Sequence, residues 1–199
     1  MGIPLKKSDR LYTYADYCNW PDDERWELIN GTAYDMSPAP NRKHQEITGE
    51  VFRRLSNFLQ DTSCQAYIAP FDVRLFEQQN AADNEIINVV QPDISVFCAQ
   101  ELLDEAGAVG PPDIAVEVIS PYTSVKDQRE KLALYEHFQI KEYWIIDPAN
   151  LTVAAYFIGQ ADSGTRSRYG KPEFLGAGDR LHSRVLDGFS IDLGDLFSE

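Results

Sequence analysis

Two segments of this chain are too apolar to lie on a surface, yet each carries one carboxylate. The first is Val89-Val90-Gln91-Pro92-Asp93-Ile94-Ser95-Val96-Phe97, and the second is Ile114-Ala115-Val116-Glu117-Val118-Ile119. Such near-continuous runs of β-branched residues read as strands buried on both faces. A carboxylate placed there is costly unless something positive pairs with it. If the two strands are neighbours, Asp93 and Glu117 converge on one point. A pair of acids at a sheet end suits Mg²⁺, which takes oxygen ligands and leaves its other positions to water and phosphate. The residues alone support a second reading equally well: one acid pairs with an Arg or Lys and simply holds the sheet together.

The rest of the chain frames these strands. Leu11, Tyr14, Ala15 and Cys18 recur at helical spacing, which predicts a short helix over 8–19 with Ser8 as its cap. Trp26-Glu27-Leu28-Ile29 and Ala33-Tyr34-Asp35-Met36 flank Asn30-Gly31, the dipeptide of a type I′ hairpin turn. From about 41 to 60, Ile47, Val51, Leu55, Phe58 and Leu59 form a helical stripe with Asn41 as a cap. Strands are expected at 66–76, 88–98 and 113–119. A second helix follows over about 125–138, opened by a capping-box spacing at Ser124 and Asp127. Further strands are expected at 142–147 and 151–158, and a Gly- and Asp-rich tail over 173–197 reads as short strands with turns. This order gives one α/β domain with a mixed central sheet flanked by helices.

A length of 199 residues suits one domain, and an apolar share of 43 % with 25 % charged residues is globular rather than disordered. No apolar run approaches the roughly 18 residues of a membrane span. The first residues, Met1 to Lys7, have no apolar stretch behind their lysines, so no secretory signal is read. Cys18, Cys64 and Cys98 are odd in number and far apart, which points to separate buried thiols in a reducing, cytoplasmic setting. Eighteen basic residues against 32 acidic ones leave a net charge of −14, and such a surface repels a polyanion. Broad coating of nucleic acid is disfavoured. Local cleavage of DNA stays open where a metal ion and a basic patch offset the field.

The order and spacing of several segments resemble a known group. Glu27-Leu28-Ile29-Asn30-Gly31, Met36-Ser37-Pro38 with His44 shortly after, Gln91-Pro92-Asp93-Ile94-Ser95, Glu117-Val118-Ile119-Ser120-Pro121, Asp127 to Tyr135, and Glu142-Tyr143-Trp144-Ile145-Ile146-Asp147-Pro148 together cover most of 25–158. In this order they are similar to a bacterial family of restriction-endonuclease-like proteins within the PD-(D/E)XK nuclease superfamily. The resemblance implies a restriction-endonuclease-like fold with a core of a helix, a β-meander, a helix and a strand, to which this chain adds an N-terminal hairpin and short C-terminal strands. It also implies a metal-dependent phosphodiesterase in which Asp93 and Glu117 match the two metal-binding acids, with Mg²⁺ or Mn²⁺ as cofactor and DNA as substrate. The motif lysine two residues after Glu117 is replaced by Ile119. The related family assigns that role to a lysine in the following helix, here Lys131, and makes Glu27 a candidate third acid.

Each assignment has a structural alternative. Lys131 lies two turns into its helix and its long stem can reach back to the strand, but Asp127 and Lys131 also stand at the i, i+4 spacing of a plain surface pair. Glu27 also fits an exposed hairpin position. His44 opens the long helix, where an anion is favoured, or is solvated beside the cap. Gln91, two before Asp93, faces the same side of a regular strand and bonds a ligand or a neighbour. Arg42 and Lys43, with Arg53 and Arg54, make the long helix the most basic surface, although Glu46 and Glu50 dilute it. Tyr143-Trp144 reads as core or dimer contact before base stacking. His137 and His182 lack partners at metal spacing, and no nucleotide-cofactor loop or serine elbow is present. The leading expectation is a metal-dependent DNA endonuclease acting as a homodimer. The alternatives are a nuclease-fold binding or assembly module with little turnover, and a hydrolase of a small phosphate ester.

Overall fold

The computed structural model describes residues 9–21, 23–36, 40–78, 81–119, 127–160 and 166–198. The first helix is shorter than its periodicity suggests. α1 spans Tyr14–Tyr17, and its cap is Thr13, whose backbone amide is bonded by Asp16 at 3.0 Å. Leu11 is exposed rather than part of a buried stripe, and the Tyr12 amide donates to the Gly31 carbonyl, so Leu11 and Tyr12 run along the hairpin turn. Ser8 lies outside the described residues, as does Ser124 of the expected capping box.

The hairpin forms as its turn residues dictate. β1 (Trp26–Ile29) and β2 (Thr32–Asp35) join through Asn30 and Gly31 at φ 49° and 74°, the double left-handed geometry of a type I′ turn. α2 (Arg42–Leu59) is capped by Asn41, whose side chain accepts from the His44 amide at 2.9 Å. It buries Ile47, Val51, Leu55 and Leu59.

Two of the expected long strands are each broken at a proline. The 66–76 segment becomes β3 (Gln65–Ile68) and β4 (Val73–Leu75), separated by Pro70. The 88–98 segment becomes β5 (Asn88–Val90) and β6 (Ile94–Phe97), separated by Gln91, Pro92 and Asp93. Proline has no N–H for a ladder, and at both breaks the chain crosses from one sheet to another. A short hairpin, β7 (Leu103–Asp104) and β8 (Gly107–Ala108), precedes β9 (Ile114–Val118). A π turn over Asp127–Lys131 leads into α3 (Leu132–His137), and β10 (Glu142–Asp147), β11 (Thr152–Phe157) and β12 (Glu173–Gly176) follow. The tail ends in β13 (Arg180–His182), β14 (Ser190–Asp192) and α4 (Leu193–Phe197).

The result is two six-stranded sheets, ordered β2-β1-β5-β4-β8-β7 and β12-β11-β10-β9-β6-β3. In the second sheet β9 and β10 are parallel, joined by the crossover that carries α3, and the other pairs are antiparallel. This is the mixed, helix-flanked sheet expected. Its two faces are sorted by alternation. Val116, Val118, Trp144 and Ile146 pack with α2 and the tail, whereas Ala115, Ile119, Tyr143 and Ile145 pack with α3 and the first sheet. Tyr143 and Trp144 are fully buried and so belong to the core. Among the described residues no helix is long and apolar enough to cross a membrane.

The cysteines depart from expectation. Cys64 and Cys98 form a disulfide, and Cys18 is free and exposed. Gln65 pairs with Phe97 across β3 and β6, so the next position outward brings residues 64 and 98 face to face. The argument for a reducing compartment that rested on separate thiols falls with this pairing.

Candidate active site

The break at Pro92 makes the site. β5 ends in the first sheet and β6 begins in the second, which leaves Asp93 at the seam between them. The β6–β9 register pairs Ile94 with Val116, and one position further places Asp93 opposite Glu117. Opposed residues on adjacent strands share a face, with Cβ atoms about 5 Å apart. Continuing the register thus sets the two positions, 24 apart in the chain, opposite each other, while their side chains take different partners, His44 for Asp93 and Lys131 for Glu117.

Glu117 sits in a strand buried along its whole length. It is held by a cation and a phenol: its Oε1 contacts Lys131 Nζ and accepts from Tyr135 Oη at 3.1 Å. Lys131 ends the π turn and is 1 % exposed. Its ammonium also lies 2.9 Å from Oε1 of Glu27. Glu27 is fully buried, so the expectation of an exposed hairpin acid does not hold. The same Glu27 oxygen accepts from the Gln91 backbone amide at 2.8 Å. Ile119 packs in the core beside α3, and the positive charge next to Glu117 comes from Lys131.

Asp93 has a different environment. Its Oδ2 accepts from the Val118 amide at 2.8 Å and lies 3.2 Å from His44 Nε2. At 19 % side-chain exposure it is more accessible than Glu117 at 6 % or Glu27 at 0 %, and so is the acid best placed to meet a solute. His44 is buried in the first turn of α2, with Nδ1 3.3 Å from Thr48 Oγ1. One tautomer satisfies both contacts: Nε2–H donates to Asp93 while Nδ1 accepts from Thr48. His44 is therefore not a solvated histidine beside a cap.

Gln91 does not face the same side as Asp93. Because the strand breaks between them, its side chain donates to Asp72 Oδ1 at 2.8 Å and to Tyr17 Oη at 3.2 Å, and accepts from Arg25 at 2.8 Å. Burial pushes the Asp72 carboxyl above its usual range, with Gln91 and Tyr17 acting against that rise. On α2, Arg42 is bonded to Glu46, and Arg53 and Arg54 both bond Glu50. Those arginines hold Glu50 down at a pKa of about 2. The expected basic stripe is thus largely neutralised within the helix. Arg42 and Lys43 line an open groove of about 900 Å³ against α4, which also presents Glu46, Glu50 and Asp195.

Tyr135 was not singled out from sequence. It follows Lys131 by one turn, so the i, i+4 spacing that carries one to Glu117 also carries the other. Hard oxygen donors from Asp93 and Glu117 match what Mg²⁺ takes from a protein, usually one or two carboxylates. Among the described residues no group of three or more His, Cys, Asp or Glu could hold a metal ion, so the fit to Mg²⁺ rests on the chemistry of these two carboxylates alone.

Relatives point the same way as the fold. A crystal structure of a putative nuclease belonging to DUF820 from Anabaena variabilis superposes with a TM-score of 0.71 over 93 % of this chain and 97 % of that one. Its sequence identity of 19 % makes this a likeness of fold. The uncharacterized protein slr1290 of Synechocystis is 23 % identical over 144 residues, 71 % of each chain. The Uma2 family, described as "Putative restriction endonuclease", matches residues 13–194, and with nearly its whole length covered the chain belongs to that family.

Proposed function

We propose that this chain is a metal-dependent endonuclease that hydrolyses phosphodiester bonds in DNA. The observation that carries the reading is the position of Lys131. Although Ile119 stands where the superfamily motif has lysine, an ammonium from the next helix reaches Glu117 and Glu27 in a buried setting. Three carboxylates against one ammonium leave two formal negative charges, which a divalent cation balances. Asp93 and Glu117 would hold Mg²⁺ or Mn²⁺. When bound, the ion would acidify water and offset charge growing on phosphorus.

The chain's own residues do the rest. His44 and the Val118 amide fix one oxygen of Asp93 and so orient its carboxylate. Lys131, pinned between two acids, supplies a donor and a positive charge beside the place where water meets phosphate. Tyr135 holds Glu117 from the other side. A two-fold dimer would set two such sites against the two strands of a duplex.

The test uses purified protein, supercoiled plasmid, and Mg²⁺ or Mn²⁺, beside Asp93→Ala and Lys131→Ala. Cutting by the parent that both substitutions abolish supports the reading. One observation favours the alternative of a binding module: Lys131 already bridges two of the acids. Calorimetric binding of Mn²⁺ with no cleavage would favour that module. Turnover of a small chromogenic phosphodiester but not of plasmid would favour a small-ester hydrolase.

A further inference from the structure

We propose that the aromatic pocket between α1 and β1 takes an unstacked nucleobase of the DNA being cut, so that the protein prefers single-stranded or locally unpaired DNA. The inference deepens the nuclease reading and rests on it for the identity of the ligand. The pocket has a volume of about 340 Å³ and is walled by Tyr17, Trp20, Trp26 and Pro70, with Arg25 and Gln91 on its polar side. That volume lies within the range of small-ligand sites.

The rings are half-buried and set at angles to one another. Tyr17 and Trp20 are 5.5 Å apart and tilted by 55°, and Trp20 meets Trp26 at 5.8 Å and 68°. They form the walls of a slot instead of one stacked column. The polar lining is Arg25, Gln91 and Glu24, whose groups already bond one another and the rings: Gln91 bonds Arg25 and Tyr17, and Glu24 accepts from Trp26 Nε1 at 2.8 Å. What the lining offers a base is therefore chiefly flat π-faces to stack on.

Position ties the pocket to the candidate chemistry. The Gln91 side chain lines the pocket while its backbone amide bonds the Glu27 oxygen that also meets Lys131. Charge argues for the same ligand mode. With a net charge of −14 and the arginines of α2 paired to Glu46 and Glu50, phosphate contacts are a weak source of affinity. Stacking on aromatic rings is the source that survives this field.

The experiment needs no cleavage. A short single-stranded oligodeoxynucleotide carrying 2-aminopurine is titrated into the full chain in EDTA, with quenching of the probe as readout. The same sequence as a perfect duplex is the comparison. We expect quenching with the single strand and at least 10-fold weaker binding of the duplex. Trp20→Ala and Trp26→Ala should each weaken binding about 5- to 100-fold, and Trp20→Phe should restore most of it.

Two readouts serve without mutation. Trp144 is fully buried, so acrylamide quenching reports on Trp20 and Trp26, and the oligonucleotide should shield them. It should also slow modification of Cys18, which lines the pocket while Cys64 and Cys98 are bonded to each other. Binding equal for single strand and duplex, or no shielding of the tryptophans, overturns the proposal. Plasmid cutting unaffected by the tryptophan substitutions overturns the pocket and leaves the nuclease reading standing. Aromatic-dependent quenching in a chain that cuts nothing leaves the pocket standing and removes the nuclease.

Discussion

Glu117 and Glu142 are buried acids on neighbouring parallel strands, and they are neutralised in opposite ways. Glu117 on β9 is met by an ammonium on a long side chain and by a phenol. Glu142 on β10 is met by four hydrogen-bond donors, none of them a cation. It accepts from Ser183 Oγ at 3.0 Å, from the Arg184 and Val185 amides, and from Trp144 Nε1 at 3.0 Å. Fixed neutral donors suit an acid whose task is to clamp the tail against the sheet. An ammonium held on the crossover helix gives its acid a charged partner instead of a cage of fixed neutral donors. Burial alone therefore does not separate the proposed catalytic acid from the structural one; the kind of partner does.

The largest effect that separates the two acids is on turnover. Glu117→Gln should lower plasmid cleavage by about 10³-fold, roughly 4 kcal/mol of barrier, while the chain still melts cooperatively. Glu142→Gln should change cleavage by no more than about threefold, because Gln still accepts from the tail amides. Equal losses from both, measured on the same plasmid, would erase the distinction.

Stability should show the reverse. Glu142→Ala strands two backbone amides, a hydroxyl and an indole N–H in a buried setting, and should cost about 3–4 kcal/mol in chemical denaturation. Glu142→Gln should recover most of that loss. If Glu142→Ala unfolds at the same denaturant concentration as the parent, the clamp assignment is wrong.

These two acids also show what could be read from the sequence. Asp93 and Glu117 stood out because each breaks an apolar run, and Asn30-Gly31 and Asn41 announce their turn and cap by chemistry local to a few residues. Glu142 was visible only as part of Glu142-Tyr143-Trp144, since three of its four donors come from residues 183–185 and no local spacing reveals them. The same applies to Tyr135 and to the Glu27–Lys131 contact, both of which depend on how the crossover helix packs. The strand breaks at Pro70 and Pro92 were written in the sequence, but the apolar flanks masked them. Gln91 was placed on the wrong side for that reason.

The Cys64–Cys98 bond offers a third, finer separation. It ties the edge strand β3 to β6, the strand that follows Asp93. Closing a 34-residue separation should contribute about 4 kcal/mol by restricting the unfolded chain. Reduction should lower the thermal midpoint of the parent and of Glu142→Gln by similar amounts. A reduced protein that also loses Mn²⁺ binding would tie the edge strand to the acid-bearing seam.

The smallest expected effect is on pH dependence, and it probes the Glu142 side of the comparison directly. Burial raises the Glu142 carboxyl above its usual 4.5, with its four donors opposing the rise. The native state then holds a proton at pH values where the unfolded chain has released it. By linkage, the stability tied to this group is fully present below the unfolded value and is lost as pH rises through the folded value. Glu142→Gln has no proton to lose, so its stability relative to the parent should improve as pH climbs from about 4.5 through the folded value. Urea denaturation of both proteins across that interval measures the gap. A gap that stays constant means that the four donors cancel the cost of burial, and Glu142 would then be as well suited to its charge as the acid beside Lys131.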